Sequence, residues 1–307
     1  MQAQPKGFSY AFKQQIMKAW QPVPTLNSTI ILFASMSLFF LIMGIVLISY
    51  SNDIATQEFQ YDSYCLAQDT DCVIQIALDG NYKSPVFFYY QLTNFYQNHR
   101  RYVKSKSPFQ LSGTDLSEGE LDECDPVVTN EDMGKTMSVT NKPLLTDDKA
   151  IPCGLIAKSY FNDTFKLFQV VNETKKEITI SSKGIAWPSD LDGRYKNIDL
   201  NRQWIDMEDE RFMVWMRTAA LPQFRKLWGK IDQDLEAGIY EVQITNTYNV
   251  SSFNGKKFIV FSTTNAFGGK NEFLSIAYIC VGVVCCVVTL GFLIRKFLSK
   301  ADQKKNR

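Results

Sequence analysis

The stretch Thr29–Tyr50, TIILFASMSLFFLIMGIVLISY, runs for 22 residues without a charged side chain. At about 1.5 Å rise per residue, a helix of that length crosses the roughly 30 Å hydrocarbon core of a bilayer. A surface helix of a soluble protein would carry a polar face over such a length, so the segment reads as a membrane span. A cleaved leader fits poorly. Signal peptides have apolar regions of about 7–15 residues, and this run begins after 28 other residues. Ser49-Tyr50-Ser51 supplies only a weak small-x-small cleavage pattern. Working outward, Phe273–Ile294 (FLSIAYICVGVVCCVVTLGFLI) is a second uncharged run of 22 residues. The chain is read as a two-span membrane protein.

The flanks orient it. Residues 1–28 hold Lys6, Lys13 and Lys18 and no acid; residues 295–307 hold six basic residues and one acid. The positive-inside rule puts both tails in the cytosol. The divisions expected are a cytosolic tail over 1–28, spans over 29–50 and 273–294, an extracytosolic or luminal domain over 51–272, and a basic cytosolic tail over 295–307. Three sequons in the large block are candidate glycosylation sites: Asn162-Asp-Thr, Asn172-Glu-Thr and Asn249-Val-Ser. Asn27-Ser-Thr lies on the cytosolic side and is expected to stay bare.

Composition excludes several functions. Of the 307 residues, 33 are Lys or Arg and 32 are Asp or Glu; the block between the basic tails keeps 24 basic and 31 acidic residues, a net of −7. A cationic nucleic-acid-binding core is therefore not expected. His99 is the sole histidine, which removes His-rich metal sites. Asp69-Thr-Asp71, Asp190-Leu-Asp192 and Asp232-Gln-Asp234 match the carboxylate pair that holds a metal-nucleotide in glycosyltransferases, but three matches among so many acids read as chance. Gly268-Gly269-Lys270 lacks the first glycine and the Ser/Thr of a phosphate loop and suits a joint before the second span. No Gly-x-Ser-x-Gly elbow occurs. Neither enzymatic activity, a cofactor nor a metal is expected.

Cysteines separate by compartment. Cys65, Cys72, Cys124 and Cys153 fall in the large block, and Cys280, Cys285 and Cys286 fall in the second span. Four cysteines in an oxidising compartment suggest two disulfides, with three connectivities open. The sequential pairing, Cys65–Cys72 with Cys124–Cys153, closes the shorter loops and is favoured. Their spacing does not suit zinc.

Residues 56–83 read as a disulfide-tied strand and turn. Residues 84–105 hold seven aromatics and end in His99, Arg100, Arg101 and Lys104. The Asn98–Lys106 cluster could dock an acidic partner or lipid headgroups, or form structural ion pairs. Residues 111–152 are a polar excursion closed by Cys124 and Cys153. Beyond about residue 160 the pattern turns to strands: Tyr240, Val242 and Ile244 alternate with Glu241, Gln243 and Thr245. Asn254-Gly255 before Lys256–Ser262 signals a hairpin, and Phe212–Thr218 is a further strand candidate. The expected fold is an antiparallel β-sandwich between two transmembrane helices. Before the first span, Phe8, Phe12, Ile16, Ala19 and Trp20 share one face of a helical wheel, with Gln14 and Lys18 opposite. An amphipathic helix over Phe8–Trp20, lying on the cytosolic leaflet, is expected.

Several longer motifs carry a resemblance. Phe12-Lys-Gln-Gln15 with Ala19-Trp-Gln-Pro22 comes first. Asn94-Phe-Tyr-Gln-Asn-His-Arg-Arg-Tyr102 with Lys104-Ser105 follows, then Cys153-Gly154 with Phe161–Thr164, and Gly184-Ile-Ala-Trp187 with Ser189-Asp190. Phe212–Gly229 (FMVWMRTAALPQFRKLWG) is the most specific stretch, ahead of Phe258–Ser262 and Gly268–Asn271. In this order, over roughly residues 8–295, the chain resembles the accessory (beta) subunits of the type-IV P-type ATPase phospholipid flippases, the cell division control protein 50 / ligand-effect modulator 3 family. It departs in having Met17-Lys18 where Leu-Pro is frequent, Gln21 where a basic residue is common, and fewer exterior cysteines than many members.

The resemblance implies a non-catalytic subunit whose partner, the catalytic alpha subunit of the ATPase, holds the aspartyl-phosphate machinery and the path for membrane phospholipids. It implies a heterodimer, a role in folding, in exit from the endoplasmic reticulum and in lipid translocation, and residence in endoplasmic reticulum, Golgi/endosomal and plasma membranes. Candidate partner contacts are Phe12 and Trp20 on the cytosolic side and Arg100, Arg101 and Arg217 outside. Gly282 and Cys286, at small-xxx-small spacing, add a candidate contact in the membrane. The alternatives are a two-span ligand-gated cation channel, which needs pore-lining polar groups, and a membrane-tethered glycosyltransferase.

Overall fold

The structure is a computed structural model, and it describes residues 8–15, 17, 24–65, 71–172, 174–265 and 268–305. The chain divides into two compact units, residues 1–51 with 271–307, and residues 52–270.

The first unit is built on two long apolar helices, Leu26–Asn52 and Phe273–Lys305. Thr25 and Ser28 exchange side-chain and backbone hydrogen bonds at the start of the first (3.0 and 3.2 Å). Asn271 Oδ1 accepts from Phe273 N at the start of the second. The helices pack antiparallel, with Phe40 edge-on to Tyr278 near one end and Phe33 stacked on Phe292 near the other. Small residues line the seam at heptad spacing on both sides. Ser37, Gly44 and Ser51 are buried on one helix, and Ser275, Gly282 and Thr289 on the other. A Cβ on Gly44 would lie 2.6 Å from Ile279 Cγ1, and one on Gly282 would lie 2.8 Å from Leu41 Cγ. Lipid tails are as apolar as leucine, so close van der Waals contact and inter-helix hydrogen bonds hold such a pair together. Ser37 Oγ supplies one such bond, donating to Gly282 O at 2.8 Å.

Ahead of the first long helix, the expected amphipathic helix is shorter than its wheel implied. It spans Phe8–Lys13, and Gln15, at φ 55°, closes it in a left-handed turn. Phe8 and Phe12 are both exposed. A helix of six residues is marginal in water by itself, because nucleation costs more than so few backbone bonds return. Trp20 lies outside the described residues.

The second unit is a sandwich of two four-stranded antiparallel sheets. Its strands are β1 (Thr56–Gln60), β2 (Cys72–Leu78), β3 (Val86–Leu92), β4 (Thr164–Val171), β5 (Thr174–Ile178), β6 (Phe224–Ile231), β7 (Gly238–Thr245) and β8 (Lys257–Ser262). One sheet has the order β1-β8-β3-β6 and the other β2-β7-β4-β5. Residues 56–83, read as one strand and turn, hold two strands, and β2 alternates: Cys72, Ile74, Ile76 and Leu78 face the core while Val73, Gln75 and Ala77 face out. The two sheets meet on aromatics. Phe88 of β3 sits 5.3 Å from Phe165 of β4 and 5.1 Å from Phe261 of β8, and Trp228 of β6 is 5.2 Å from Phe165. Edge-on rings at these separations add to the area they bury.

Two local readings are corrected. Phe212–Thr218 is not a strand; Glu210–Met216 is a helix with Asp209 Oδ1 accepting from Arg211 N at 3.0 Å. Phe212, Met213, Trp215 and Met216 are all buried. Apolar residues at i, i+1, i+3 and i+4 fit a buried helical turn, which a short apolar run cannot distinguish from a strand. Nor does Asn254-Gly255 close a hairpin, because β7 and β8 belong to different sheets. Asn254 (φ 51°) ends the short turn Ser251–Phe253, and a Cβ on Gly255 would lie 2.7 Å from Thr93 O. The left-handed residue and the close approach turn the chain from one sheet to the other.

Candidate docking face and its supports

Strands β3 and β6 run side by side, so the loops that leave their ends meet. The Asn94–Lys106 and Phe212–Gly229 segments are thereby joined. Gln97 is fully buried; its Oε1 accepts from Ala219 N at 2.9 Å, and its Nε2 donates to Tyr102 OH. Phe95 N donates to Pro222 O, and the Phe95 ring lies among Trp215, Phe224, Phe253 and Tyr102. The helix Arg100–Lys104 is anchored through Tyr102, whose hydroxyl lies 2.7 Å from Ser159 Oγ. Burial pushes the Tyr102 phenol up to about 12, against the pull of the Ser159 and Gln97 hydrogen bonds. With that side fixed inward, Arg100, Arg101 and Lys104 are left exposed. Neither Arg100 nor Arg101 forms an ion pair among the described residues.

Below this helix, Ser105 Oγ donates to Cys124 O and accepts from Leu155 N, both at 2.8 Å. Gly154 has φ 100°, and a Cβ there would collide with Ser105 O. The glycine of Cys153-Gly154 is thus required twice, by its dihedral and by the close approach. Cys124 is bonded to Cys153, and Cys65 to Cys72.

Arg217 is differently placed. Its Nε and Nη2 bind the two oxygens of buried Asp190 at 2.5 and 2.9 Å, and its guanidinium lies 5.2 Å from the centre of the Trp187 ring. The bond to Asp190 raises the Arg217 pKa further. This forked pairing commits Nε and Nη2 of the exposed Arg217 to the domain's own Asp190, whereas Arg100 and Arg101 have no ion pair among the described residues. Asp190 is thereby committed to arginine, and Asp234 Oδ1 accepts from Ser84 N. Neither carboxylate is arranged for a metal-nucleotide. Glu210 also turns inward, accepting from Gly184, Ile185 and Ala186 N–H at 2.7–2.9 Å. Burial pushes its pKa up, and the three donors outweigh that and hold it below the usual carboxylate range.

Two buried cations escaped the sequence reading. Lys257 is 2 % exposed and pairs with fully buried Asp163 at 2.7 Å; Asp163 also accepts from Tyr61 OH, Thr247 N and Tyr248 N. Lys226 donates to the carbonyls of Val214, Trp215 and Arg217 at the end of the Glu210–Met216 helix. Strand parity was the available signal. Lys257 shares a face with Ile259 and Phe261, Lys226 with Phe224 and Trp228, and Asp163 with Phe165 and Leu167, all on the core side.

Asn162, Asn172 and Asn249 are all exposed, Asn172 at the tight β4–β5 turn with φ 48°. Asn249 Oδ1 accepts from Ser251 N and Oγ. Asn27 lies in the first turn of the first long helix. Gly282 is in contact with Leu41 of the chain's own first helix, and Cys286 beside it is half-buried.

The hydroxyls a pore would need are turned to the chain itself: Ser35, Ser49 and Thr289 bond carbonyls of their own helices, Ser275 bonds Glu272 O just ahead of its helix, and Ser37 bonds the facing helix. Comparison with known proteins decides the family. Residues 45–302 match the model of the LEM3 (ligand-effect modulator 3) family / CDC50 family. The chain belongs to the CDC50/LEM3 family. This CDC50-family chain is 39% identical to ALA-interacting subunit 3 of Arabidopsis thaliana, over 92% of the chain and 84% of that protein. It is 37% identical to Cell cycle control protein 50A of Bos taurus, over 92% and 87%. It is 33% identical to the phospholipid-transporting ATPase accessory subunit CRF1 of Saccharomyces cerevisiae (strain ATCC 204508 / S288c), over 93% and 84%. The channel alternative gains nothing from these relatives. Within the CDC50-family chain, Gln97, Ser105, Gly154, Glu210 and Arg217 tie together four of the segments that carried the resemblance, those around Asn94–Ser105, Cys153-Gly154, Gly184–Asp190 and Phe212–Gly229.

Proposed function

We propose that this chain is a non-catalytic accessory subunit of a phospholipid-transporting P-type ATPase, one partner of a heterodimer. In this reading it supports the catalytic subunit's folding, its exit from the endoplasmic reticulum, and translocation of phospholipid from the exoplasmic to the cytosolic leaflet. The observation that carries the reading is similarity to a named ATPase accessory subunit along nearly the full length of both chains. The tails over 1–28 and 295–307 are cytosolic, the spans 29–50 and 273–294 cross the membrane, and residues 51–272 lie outside, in endoplasmic reticulum, Golgi/endosomal or plasma membranes. Arg100 and Arg101 contact the partner's exterior loops, Phe12 and Trp20 its cytosolic side, and Cys286 its membrane helices, whereas Gly282 is taken up by Leu41 and Ser37 of the chain's own first helix.

Affinity purification of the full chain in mild detergent, with the co-purifying protein identified by mass, tests the assignment. A P-type ATPase in near-stoichiometric amount is expected, and its absence would overturn the reading. The topology has its own test: glycosidase should increase gel mobility through Asn162, Asn172 and Asn249. Loss of that shift on Asn27→Gln alone would reverse the orientation.

A further inference from the structure

An open cleft of about 1190 Å³ lies between the Arg100–Lys106 segment and the turn at Asp122–Pro126. Its two walls carry opposite charge. Arg101, Lys104 and Lys106 line one side, and Asp122, Glu123 and Asp125 line the other. Opposite charges sharing a cleft would ordinarily close on each other, yet none of these six side chains forms an ion pair among the described residues. The covalent and hydrogen-bonded supports explain why. Ser105, at the base of the basic wall, is bonded to Cys124 O in the acidic wall and to Leu155 N. The Cys124–Cys153 disulfide and the close Gly154–Ser105 approach fix the same two walls. The walls are tied to each other while their charges stay unpaired, and Val103, Pro126 and Leu155 add apolar lining.

We propose that this cleft receives an extended polypeptide segment of the ATPase's exterior surface. The segment presents an acidic side chain to the Arg101/Lys104 wall and a basic one to the Asp122/Glu123 wall. The proposal rests on the accessory-subunit reading and names the site and chemistry of that contact. Charge complementarity supplies the argument: a cleft with fixed, separated walls of opposite sign accepts a dipolar occupant in one direction only, which sets register as well as attraction. Size separates the occupants. Small-molecule pockets run to roughly 300–1,000 Å³. A zwitterionic lipid headgroup would satisfy both walls and leave most of this volume empty, whereas a polypeptide segment also covers the apolar lining of Val103, Pro126 and Leu155. Because the walls are braced in advance, little ordering is required on binding.

Wall-reversal variants of the full chain, co-expressed with its ATPase, test this. Arg101→Glu with Lys104→Glu reverses the basic wall, and Asp122→Lys with Glu123→Lys reverses the acidic wall. All four changes together invert the dipole and leave net charge unchanged. Each set should reduce ATPase recovered in mild detergent by at least tenfold. Each should leave the melting midpoint of the purified chain within about 2 °C of wild type, because these side chains are exposed and unpaired. The milder Arg101→Ala with Lys104→Ala serves if a reversal fails to fold, with loss of recovery again expected. Wild-type recovery from the four-fold variant would overturn the cleft assignment while leaving the accessory-subunit reading intact. Failure of the wild-type chain itself to recover a P-type ATPase would sink that reading and the cleft with it. Binding of phosphatidylserine or phosphatidylethanolamine vesicles that is lost in the four-fold variant, with ATPase recovery unchanged, would overturn the proposal in favour of a headgroup site.

Discussion

Replacing Lys257 with methionine removes one charge from a sealed network and keeps most of the side-chain volume. The ammonium has three partners, the Asp163 carboxylate, Asn246 Oδ1 and Tyr248 O, and it lies 5.2 Å from the centre of the Tyr61 ring. Burial lowers the Lys257 pKa even though Asp163 opposes that pull. These groups belong to the end of β1, the start of β4, the β7–β8 connection and β8, so the network ties the two sheets. Without the cation, Asp163 remains a fully buried anion held only by Tyr61 OH and two backbone N–H groups. Breaking a buried pair from one side costs about 3–5 kcal/mol. In a unit of about 220 residues each kcal/mol moves the midpoint by about 2–4 °C, so the melt should fall by roughly 6–20 °C. Asp163→Asn should cost a similar amount by stranding the lysine. It leaves the Asn162 sequon intact, so glycosylation does not confound the comparison. The double variant buries no ion, and its amide oxygen can still accept from Thr247 and Tyr248. It should therefore be less damaged than the sum of the singles by more than about 1.5 kcal/mol. Thermal unfolding of the full chain in detergent measures all three. A Lys257→Met midpoint within 2 °C of wild type, or strict additivity in the cycle, would refute the argument that this pair ties the sheets.

Other expectations are shorter. Cys124–Cys153 spans 29 residues and Cys65–Cys72 spans 7; chain entropy assigns them about 3.6 and about 2.4 kcal/mol, so Cys153→Ser should reduce mature, glycosylated protein more than Cys65→Ser on pulse-chase. Burial pulls the Lys226 ammonium down to about 7, against about 10.4 in an unfolded chain. Between those values the unfolded state binds more protons, so stability should rise with pH from about 7 towards 10 and level off below 7, by up to about 1.4 kcal/mol per pH unit. Lys226→Met should flatten that slope in melts at pH 7.5–9.5, and an unchanged slope would count against a depressed lysine. Gly282→Leu would force its side chain into Leu41 and should cost about 1–3 kcal/mol as overpacking. It should weaken cross-linking between cysteines placed at the seam, and undiminished cross-linking would argue that the helices pack elsewhere.

Local patterns were legible where the physics is local. The long apolar helices follow from uncharged runs of spanning length, and β7 from the period-2 alternation of Tyr240, Val242 and Ile244. The Phe212–Thr218 error came from the same reasoning, since an apolar run of seven carries no period that separates strand from buried helix. Asn254-Gly255 was recognised as a turn, and what failed was the assumption that its flanking strands pair with each other. For the docking face, the aromatic-basic segment was visible as a segment. That Arg217 is engaged by a carboxylate of its own domain while Arg100 and Arg101 are not depends on Asp190, a residue 27 positions away.

The sequence by itself determined how many apolar helices there are, that Tyr240, Val242 and Ile244 face inward, and which cysteines stand apart from the apolar runs. Each depends on neighbours within a turn or two, where hydrophobic periodicity and covalent geometry act directly. Only the tertiary structure decided that β7 and β8 part into different sheets, that Gly282 meets Leu41, and that Lys257 finds Asp163. It also decided that Arg101 and Asp122 line one cleft without forming an ion pair. Those outcomes depend on which distant groups are brought together once loop entropy, core packing and the satisfaction of buried polar atoms are settled jointly, and no local window of sequence contains that sum.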